Sequence, residues 1–385
     1  MADPNAIRRY EFKSDRSYKF WEVSVDDLSV NTRYGRIGTR GRSQSKIFDS
    51  AEAAQAHADK EAAKKKKAGY VELVKQEVKR KTNEELWNEL KPHEPFLESI
   101  LESPDDIDQY LVYADWLLEC GDPRGQFILS QLAAKDSQTP MWEQIRHQKI
   151  ADEIQLTNWR EWLGELAPIL QPSGFRLEFQ RGQVSLLGLP CLNSQIGVAL
   201  KGSPHCRFLR TLEVLSTNPS ELYNDEEDAI SREADTGLEP LLGADFANLR
   251  TLELTYNHFG RRRLPGRKTF EVIHTMPRLR KLSITGSIVA GDYQFLFDKE
   301  MPNLEELIIE DQFGNGPIEA LCESDWMEQL VSLKFVCDLE NSIAQNLAER
   351  LNPNVMERID VTQNNINEEG LNTIRKTGVS VVSFF

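Results

Sequence analysis

The 385-residue chain contains no run of about 18 consecutive apolar residues, which argues against a transmembrane helix. Its opening stretch, Met1 to Tyr10, has no apolar core of the kind a secretory signal needs, so none is expected. Cysteine is scarce. The five residues Cys120, Cys191, Cys206, Cys322 and Cys337 are scattered, odd in number and without a C-x-x-C pair. This argues against a disulfide framework and favours free thiols in a reducing cytoplasm. The six histidines show no metal-ligand spacing, and no glycine-rich phosphate loop, G-x-S-x-G elbow or H-E-x-x-H motif occurs. No metal, no cofactor and no catalytic activity are therefore expected. What is present, 40% hydrophobic and 28% charged residues, describes a soluble globular chain long enough for two or three domains.

The net charge of −15 conceals an asymmetry. Residues 1–81 hold 19 Lys+Arg against 12 Asp+Glu, a balance of +7; residues 82–172 hold 6 against 18, or −12; residues 173–385 hold 21 against 31, or −10. A basic head on an acidic body points to separate partners for the two ends, and the head alone suits a polyanion.

The head reads as strands followed by a helix. Tyr18 to Val25 alternates around aromatic and β-branched residues, and Asp26-Asp27 supplies a turn. Val30 to Ile37 and Gln44 to Phe48 are further strands, joined by the basic hairpin Gly38-Thr39-Arg40-Gly41-Arg42-Ser43. Asp49 is the expected N-cap of the helix, with Glu52 at capping-box spacing, and Lys64 to Lys67 end it before Gly69. Tyr34 and Arg36 lie two apart on a strand and so share a face. A ring beside a guanidinium can stack on a base or sugar and bind a phosphate, and Arg33, Arg40, Arg42 and Lys46 add charge nearby. The competing reading is that Tyr34 packs and Arg36 pairs with an acid of its own domain. The four-lysine run has two readings as well, a solvated helix end matched to the dipole or a phosphate contact.

Arg33 to Thr39, with Phe20-Trp21-Glu22 before it and Phe48 to Ala54 after it, resembles a WGR domain, as does the closing stretch Lys67 to Glu72. The resemblance covers roughly residues 8–75. It implies an α+β module that, in eukaryotic poly(ADP-ribose) polymerases, grips DNA near strand breaks. Tyr34 stands where the family's triplet has tryptophan, Arg36 matches its arginine, and no ADP-ribosyl-transferase segment follows.

Residues 82–170 carry helical periodicity. Ser103-Pro104 is expected to start a helix in which Ile107, Tyr110, Leu111, Ala114, Leu117 and Leu118 follow a 3.6-residue period to a cap at Gly121. Trp142, Ile145, Ile154, Trp159, Trp162 and Leu166 extend the helical pattern. The stretch from Phe96 to Gly125 is similar to the "repeat-companion" segments that precede repeat arrays, a family with no known activity. Asp115-Trp116 and Asp122-Pro123-Arg124 read either as a site or, better, as a packed tryptophan with capping and pairing acids.

From residue 209 an L-x-x-L-x-L pattern recurs, beginning at Leu209, Leu249, Leu279, Leu304, Leu330, Met356 and Val379, with spacings of 40, 30, 25, 26, 26 and 23. This resembles a leucine-rich-repeat solenoid. Residues between the leucines are expected on its concave face, where Glu253, Thr255, Tyr256, Ile308, Glu310, Lys334 and Asp360 would meet a protein partner; a merely solvated face is the alternative. Two insertions interrupt the period. Glu221 to Glu239 holds eight acids, and Arg261 to Lys268 packs five basic residues into eight, either as a solvated loop, a second phosphate contact or a dock for the acidic one.

The expected architecture is multidomain α/β: a WGR module over 1–80, a helical capping segment over 81–172 and leucine-rich repeats over 173–385, with Lys75 to Lys91 as linker. The function that follows is a cytoplasmic, non-enzymatic adaptor or sensor with no membrane contact. It would bind nucleic acid, most simply DNA, through the head and a protein through the array. A scaffold that binds proteins at both ends is the alternative.

Overall fold

The computed structural model describes residues 8–14, 17–26, 28–36, 42–73, 81–169, 175–190, 192–215, 237–255, 266–286, 292–310, 316–336 and 340–383. They form a mixed α/β protein of two compact units, one up to residue 73 and one from residue 81 onward. The first is a five-stranded antiparallel sheet of β1 (Arg8–Ser14), β2 (Ser17–Asp26), β3 (Ser29–Arg36), β4 (Arg42–Ile47) and β5 (Val71–Leu73), with α1 (Ala51–Lys67) between the last two strands. Its order is β4-β3-β2-β1-β5. Strand alternation sends Tyr10, Trp21, Val23 and Val30 to one side, where Ala54, Ala58 and Ala62 of α1 meet them. Small side chains at four-residue spacing give the helix a smooth stripe and a close approach. Ser50 caps α1 by accepting a hydrogen bond from the Ala53 amide at 3.2 Å. Asp49, the expected cap, stands one residue too early for that geometry. Strands β1 and β5, absent from the sequence reading, complete the sheet.

The second unit opens with helices: α2 (Asn83–Leu90), α3 (Glu94–Glu102), α4 (Ile107–Glu119), α5 (Pro123–Lys135), α6 (Met141–Leu163) and the short α7 (Leu166–Ile169). Helix α2 falls inside the expected linker, held by a capping box of Thr82 and Glu85. Helix α4 is capped by Asp106 and not by Ser103, because the carboxylate of Asp106 is the group that reaches the Asp108 amide, at 3.0 Å. Asp122 caps α5, with Pro123 in its first turn, and grips Arg124. Trp116 packs against His93, Phe96 and Tyr113. On α6, Trp142 and Ile145 are exposed, in contrast to the buried Trp162.

Then comes a nine-stranded sheet: β6 (Arg176–Gln180), β7 (Gln183–Leu189), β8 (Thr211–Val214), β9 (Thr251–Thr255), β10 (Lys281–Thr285), β11 (Glu306–Glu310), β12 (Ser332–Val336), β13 (Arg358–Asp360) and β14 (Ser380–Val382). The strands lie side by side in chain order, parallel from β7 to β14. Helices α8 (Ser194–Gly202), α9 (Gly266–Ile273), α10 (Asp292–Phe297), α11 (Gly316–Cys322), α12 (Asn341–Arg350) and α13 (Glu368–Arg375) fall between them along the chain. The register aligns Leu212, Leu252, Leu282, Leu307, Leu333, Ile359 and Val381 in one row. That row shares a single core with Phe270, Tyr293, Leu321, Leu347 and Leu371 from the helices. A second recurrence ties three of the steps to the one before. Side-chain amides of Asn248, Asn303 and Gln329, each one residue before a recurring leucine, donate to the carbonyls of Arg207, Pro277 and Met301.

The β6–β7 hairpin turns through Arg181 and Gly182, both with positive φ (51° and 80°), the geometry of a type I′ turn. It tucks into the helical segment: the Arg181 guanidinium lies over the Tyr110 ring and donates to the Pro104 carbonyl, and the Gln131 amide donates to the Phe179 carbonyl. Asp105, between α3 and α4, accepts from both Arg210 and Arg250, and Arg207 forms a two-pronged pair with Glu94. Two histidines are sealed in this unit. Burial pushes His205, whose Nε2 hydrogen-bonds the Trp162 carbonyl oxygen at 2.6 Å, down to about 4. His93, against the Tyr113 hydroxyl, is likewise pushed by burial to about 4, with Arg124 adding repulsion.

Candidate nucleic-acid interface

In an antiparallel sheet directly opposed residues point to the same side. The register of the first unit opposes Tyr34 to Trp21 and to Arg42, and Arg36 to Lys19. Tyr34, Arg36, Arg42 and Lys19 therefore share the face on which Trp21 packs. Arg36, Arg42 and Lys19 are exposed; Tyr34 is half-buried and packs against the Trp21 core. Its ring is thus partly spent on packing. Lys46 lies farther along β4, exposed, with its Nζ 5.1 Å from the centre of the Phe48 ring.

The last turn of α1 contributes to this face. Lys65 Nζ lies 5.6 Å from the centre of Trp21 and 5.1 Å from that of Tyr70, and Phe12 and Tyr70 are in ring contact at 5.4 Å. The sequence offers the four-lysine run that holds Lys65 as a helix end or a phosphate contact, but does not single out Lys19, Phe12 or Tyr70. The signal existed: Lys19 alternates with Trp21 along β2, and Lys65 sits in the four-lysine run. What the sequence does not show is that the helix ends over Trp21.

Arg33 belongs elsewhere. Alternation turns it to the opposite face, where it is directly across from Glu22. Its Nε donates to Glu22 at 2.7 Å, Arg9 donates to the same carboxylate at 2.8 Å, and both guanidiniums cover the Phe20 ring. Glu11 takes a further bond from Arg9. Among the described side chains of this face the two arginines are matched by two glutamates, which places Arg33 in an ion-pair network apart from the cationic cluster. Arg40 lies outside the described residues.

The residues named for a protein partner lie along the nine-stranded sheet. Glu253, Ile308, Lys334 and Asp360 occupy the third position of their strands, Thr255 and Glu310 the fifth, all on the side opposite the leucine row. Their charges are largely matched within the sheet: Lys281 pairs with Glu253 at 3.2 Å, Lys334 with Glu310, and Asp360 accepts from the amide and hydroxyl of Thr362. Tyr256 lies outside the described residues, as do Arg261, Arg262, Arg263 and nearly all of the acidic stretch. At the borders of the two insertions, Lys268 pairs with Glu239 at 2.6 Å. Among the described residues no group of acidic, histidine or cysteine side chains could hold a metal, and no helix is long and apolar enough to cross a membrane.

The WGR domain family matches residues 8–77. Over 65 residues the chain is 35% identical to the uncharacterized protein YfeS of Escherichia coli, covering 17% of this chain and 27% of that protein. Over 69 residues it is 36% identical to the protein YehF of the same organism, 18% and 25% of the two lengths. The chain thus spans about a quarter of the length of these relatives. A crystal structure of a Bacteroides fragilis protein aligns across 98% of this chain and 96% of its own, at 18% identity and a TM-score of 0.32, too low to carry a statement about fold. The match, the antiparallel sheet with its single helix, and the Tyr34–Arg36 pair agree: residues 8–77 are a WGR domain.

Proposed function

We propose that this chain is a non-enzymatic, cytoplasmic adaptor or sensor that binds nucleic acid, DNA in the simplest case, through its WGR domain. The observation that supports this best is the segregation of charge in that domain. One face pairs Arg9 and Arg33 with Glu11 and Glu22, and the other gathers Lys19, Arg36, Arg42, Lys46 and Lys65 around aromatic rings. Cations beside rings suit a phosphodiester backbone, the first for the phosphates and the second for a base or sugar. The reading extends to the nine-stranded sheet as a leucine-rich-repeat array whose leucine-free side holds a protein partner, with helices α2 to α7 as its cap. The aligned aliphatic row and the repeating Asn/Gln amide tie support that assignment. A cytoplasmic home accords with the free thiols of Cys120, Cys206 and Cys322.

The test is fluorescence anisotropy of a labelled 20-base-pair duplex titrated with the full chain at about 100 mM salt. Arg36→Ala combined with Arg42→Ala should weaken binding at least tenfold, the loss expected for two charge-assisted contacts of about 1 kcal/mol each. Arg33→Ala should change it less than twofold. No binding by the parent chain, or equal losses in the two variants, would favour the scaffold alternative, in which the head meets an acidic protein.

A further inference from the structure

Helix α4 is apolar on more of its circumference than the fold uses. Tyr110, Tyr113, Ala114 and Leu117 are buried against the neighbouring helices, which accounts for one face. Yet Ile107, Leu111, Val112 and Leu118 are 48%, 38%, 57% and 41% exposed, four large apolar side chains on one 13-residue helix. At about 100° per residue, Ile107, Leu111 and Leu118 fall within a stripe roughly 40° wide. Asp108, Asp115 and Glu119 fall in a second stripe directly beside it. All three acids are exposed and have no ion pair among the described residues. The contrast with other acids of this unit is plain: Asp105, Asp122 and Glu94 each hold an arginine. The surplus of α4 is therefore twofold, apolar surface and uncompensated negative charge, in parallel rows about 16 Å long at 1.5 Å per residue.

We propose that this face of α4 docks a cationic amphipathic segment of a partner protein, whose apolar side chains cover Ile107, Leu111 and Leu118 and whose lysines or arginines lie along Asp108, Asp115 and Glu119. Charge complementarity selects this occupant. An anionic membrane surface or a nucleic acid would be repelled by the acidic row, while a neutral apolar surface would leave it unmatched. Two parallel rows confined to one 13-residue helix suit a single helix laid alongside α4 better than a folded domain. The site is independent of the WGR face and of the sheet.

The probe is a fluorescein-labelled 14-residue helix of leucine and lysine whose apolar and cationic rows are adjacent, titrated with the full chain at 150 mM salt (about physiological). Three variants are compared: Leu111→Ser with Leu118→Ser, Asp115→Lys with Glu119→Lys, and Asp325→Lys with Glu328→Lys as a remote control of equal charge change. Both α4 variants should weaken saturable binding at least tenfold, and the control less than twofold. The charge pair keeps the test decisive if the serine pair fails to fold. Three results would overturn the proposal: an equal loss in the control, which means diffuse attraction to an acidic protein; undiminished binding by a folded serine pair; or no saturable binding at all. A parent chain that sediments as a dimer and becomes monomeric in the charge pair would instead assign the face to a second copy.

Discussion

At the scale of single residues, the two arginines flanking Tyr34 have opposite roles, decided by the two-residue period of a strand. Arg36 points with Tyr34 to the cationic face, whereas Arg33 points with Glu22 to the neutral one. The sequence displays this parity, but not the presence of Glu22 directly opposite Arg33, because register depends on strand β2 pairing along its whole length. Glu22 is buried between Arg9 and Arg33, so its removal strands the Arg33 guanidinium over Phe20 and leaves Arg9 with Glu11 alone. Glu22→Ala should lower the stability of the WGR domain by about 2 kcal/mol, short of the 3–5 of a fully buried pair because both arginines keep some solvent. Urea denaturation of the full chain, followed by hydrogen exchange at the amides of strands β1 to β3, reads this directly; an unchanged midpoint would mean the network is ornamental.

At the scale of elements, the recurring leucines were legible and the strands they mark are the ones observed, because a parallel strand buried on one side repeats the same residue type at the same position. Elements without such a mark were missed. Strand β1, Arg-Arg-Tyr-Glu-Phe-Lys-Ser, hides its alternation among charges that the sheet neutralises, and the β6–β7 hairpin turns on Arg181-Gly182 in place of the usual Asn-Gly. Helix caps were misplaced by one to three residues where several Ser and Asp compete, as at Ser103, Asp105 and Asp106. Helix packing gives a sharp expectation. A Cβ on Gly125 of α5 would stand 2.7 Å from the Ala114 carbonyl oxygen and 2.9 Å from the Leu118 amide nitrogen of α4. Backbone cannot yield as a side chain does, so Gly125→Ala should cost about 1–3 kcal/mol despite its gain in helix propensity. A thermal midpoint at or above that of the parent would show that the two helices slide apart freely.

At the scale of the whole molecule, the chain joins a domain of surplus positive charge to a larger acidic unit, and the two answer to different solution variables. In the larger unit His205 and His93 are pushed by burial to about 4, below the value near 6.5 of an unfolded chain. A histidine depressed in the folded state contributes stability that is complete above pH 6.5 and lost as pH falls toward 4, since the unfolded chain takes up protons the folded one refuses. The unfolding free energy of this unit, read from urea titrations, should therefore fall between pH 6.5 and 5, by up to about 1.4 kcal/mol per pH unit for each histidine. A flat profile over that window would show both imidazoles reached by solvent. The WGR face works by a different rule, because salt competes with its cations for the phosphates. The decisive measurement is the dependence of duplex affinity on salt from about 50 to 200 mM for the full chain and for Arg36→Ala with Arg42→Ala. The account predicts a steep linear fall of log affinity with log salt for the parent, and a slope shallower by about 2 in the variant, one per lost phosphate contact. Identical slopes, or an affinity indifferent to salt, would contradict it.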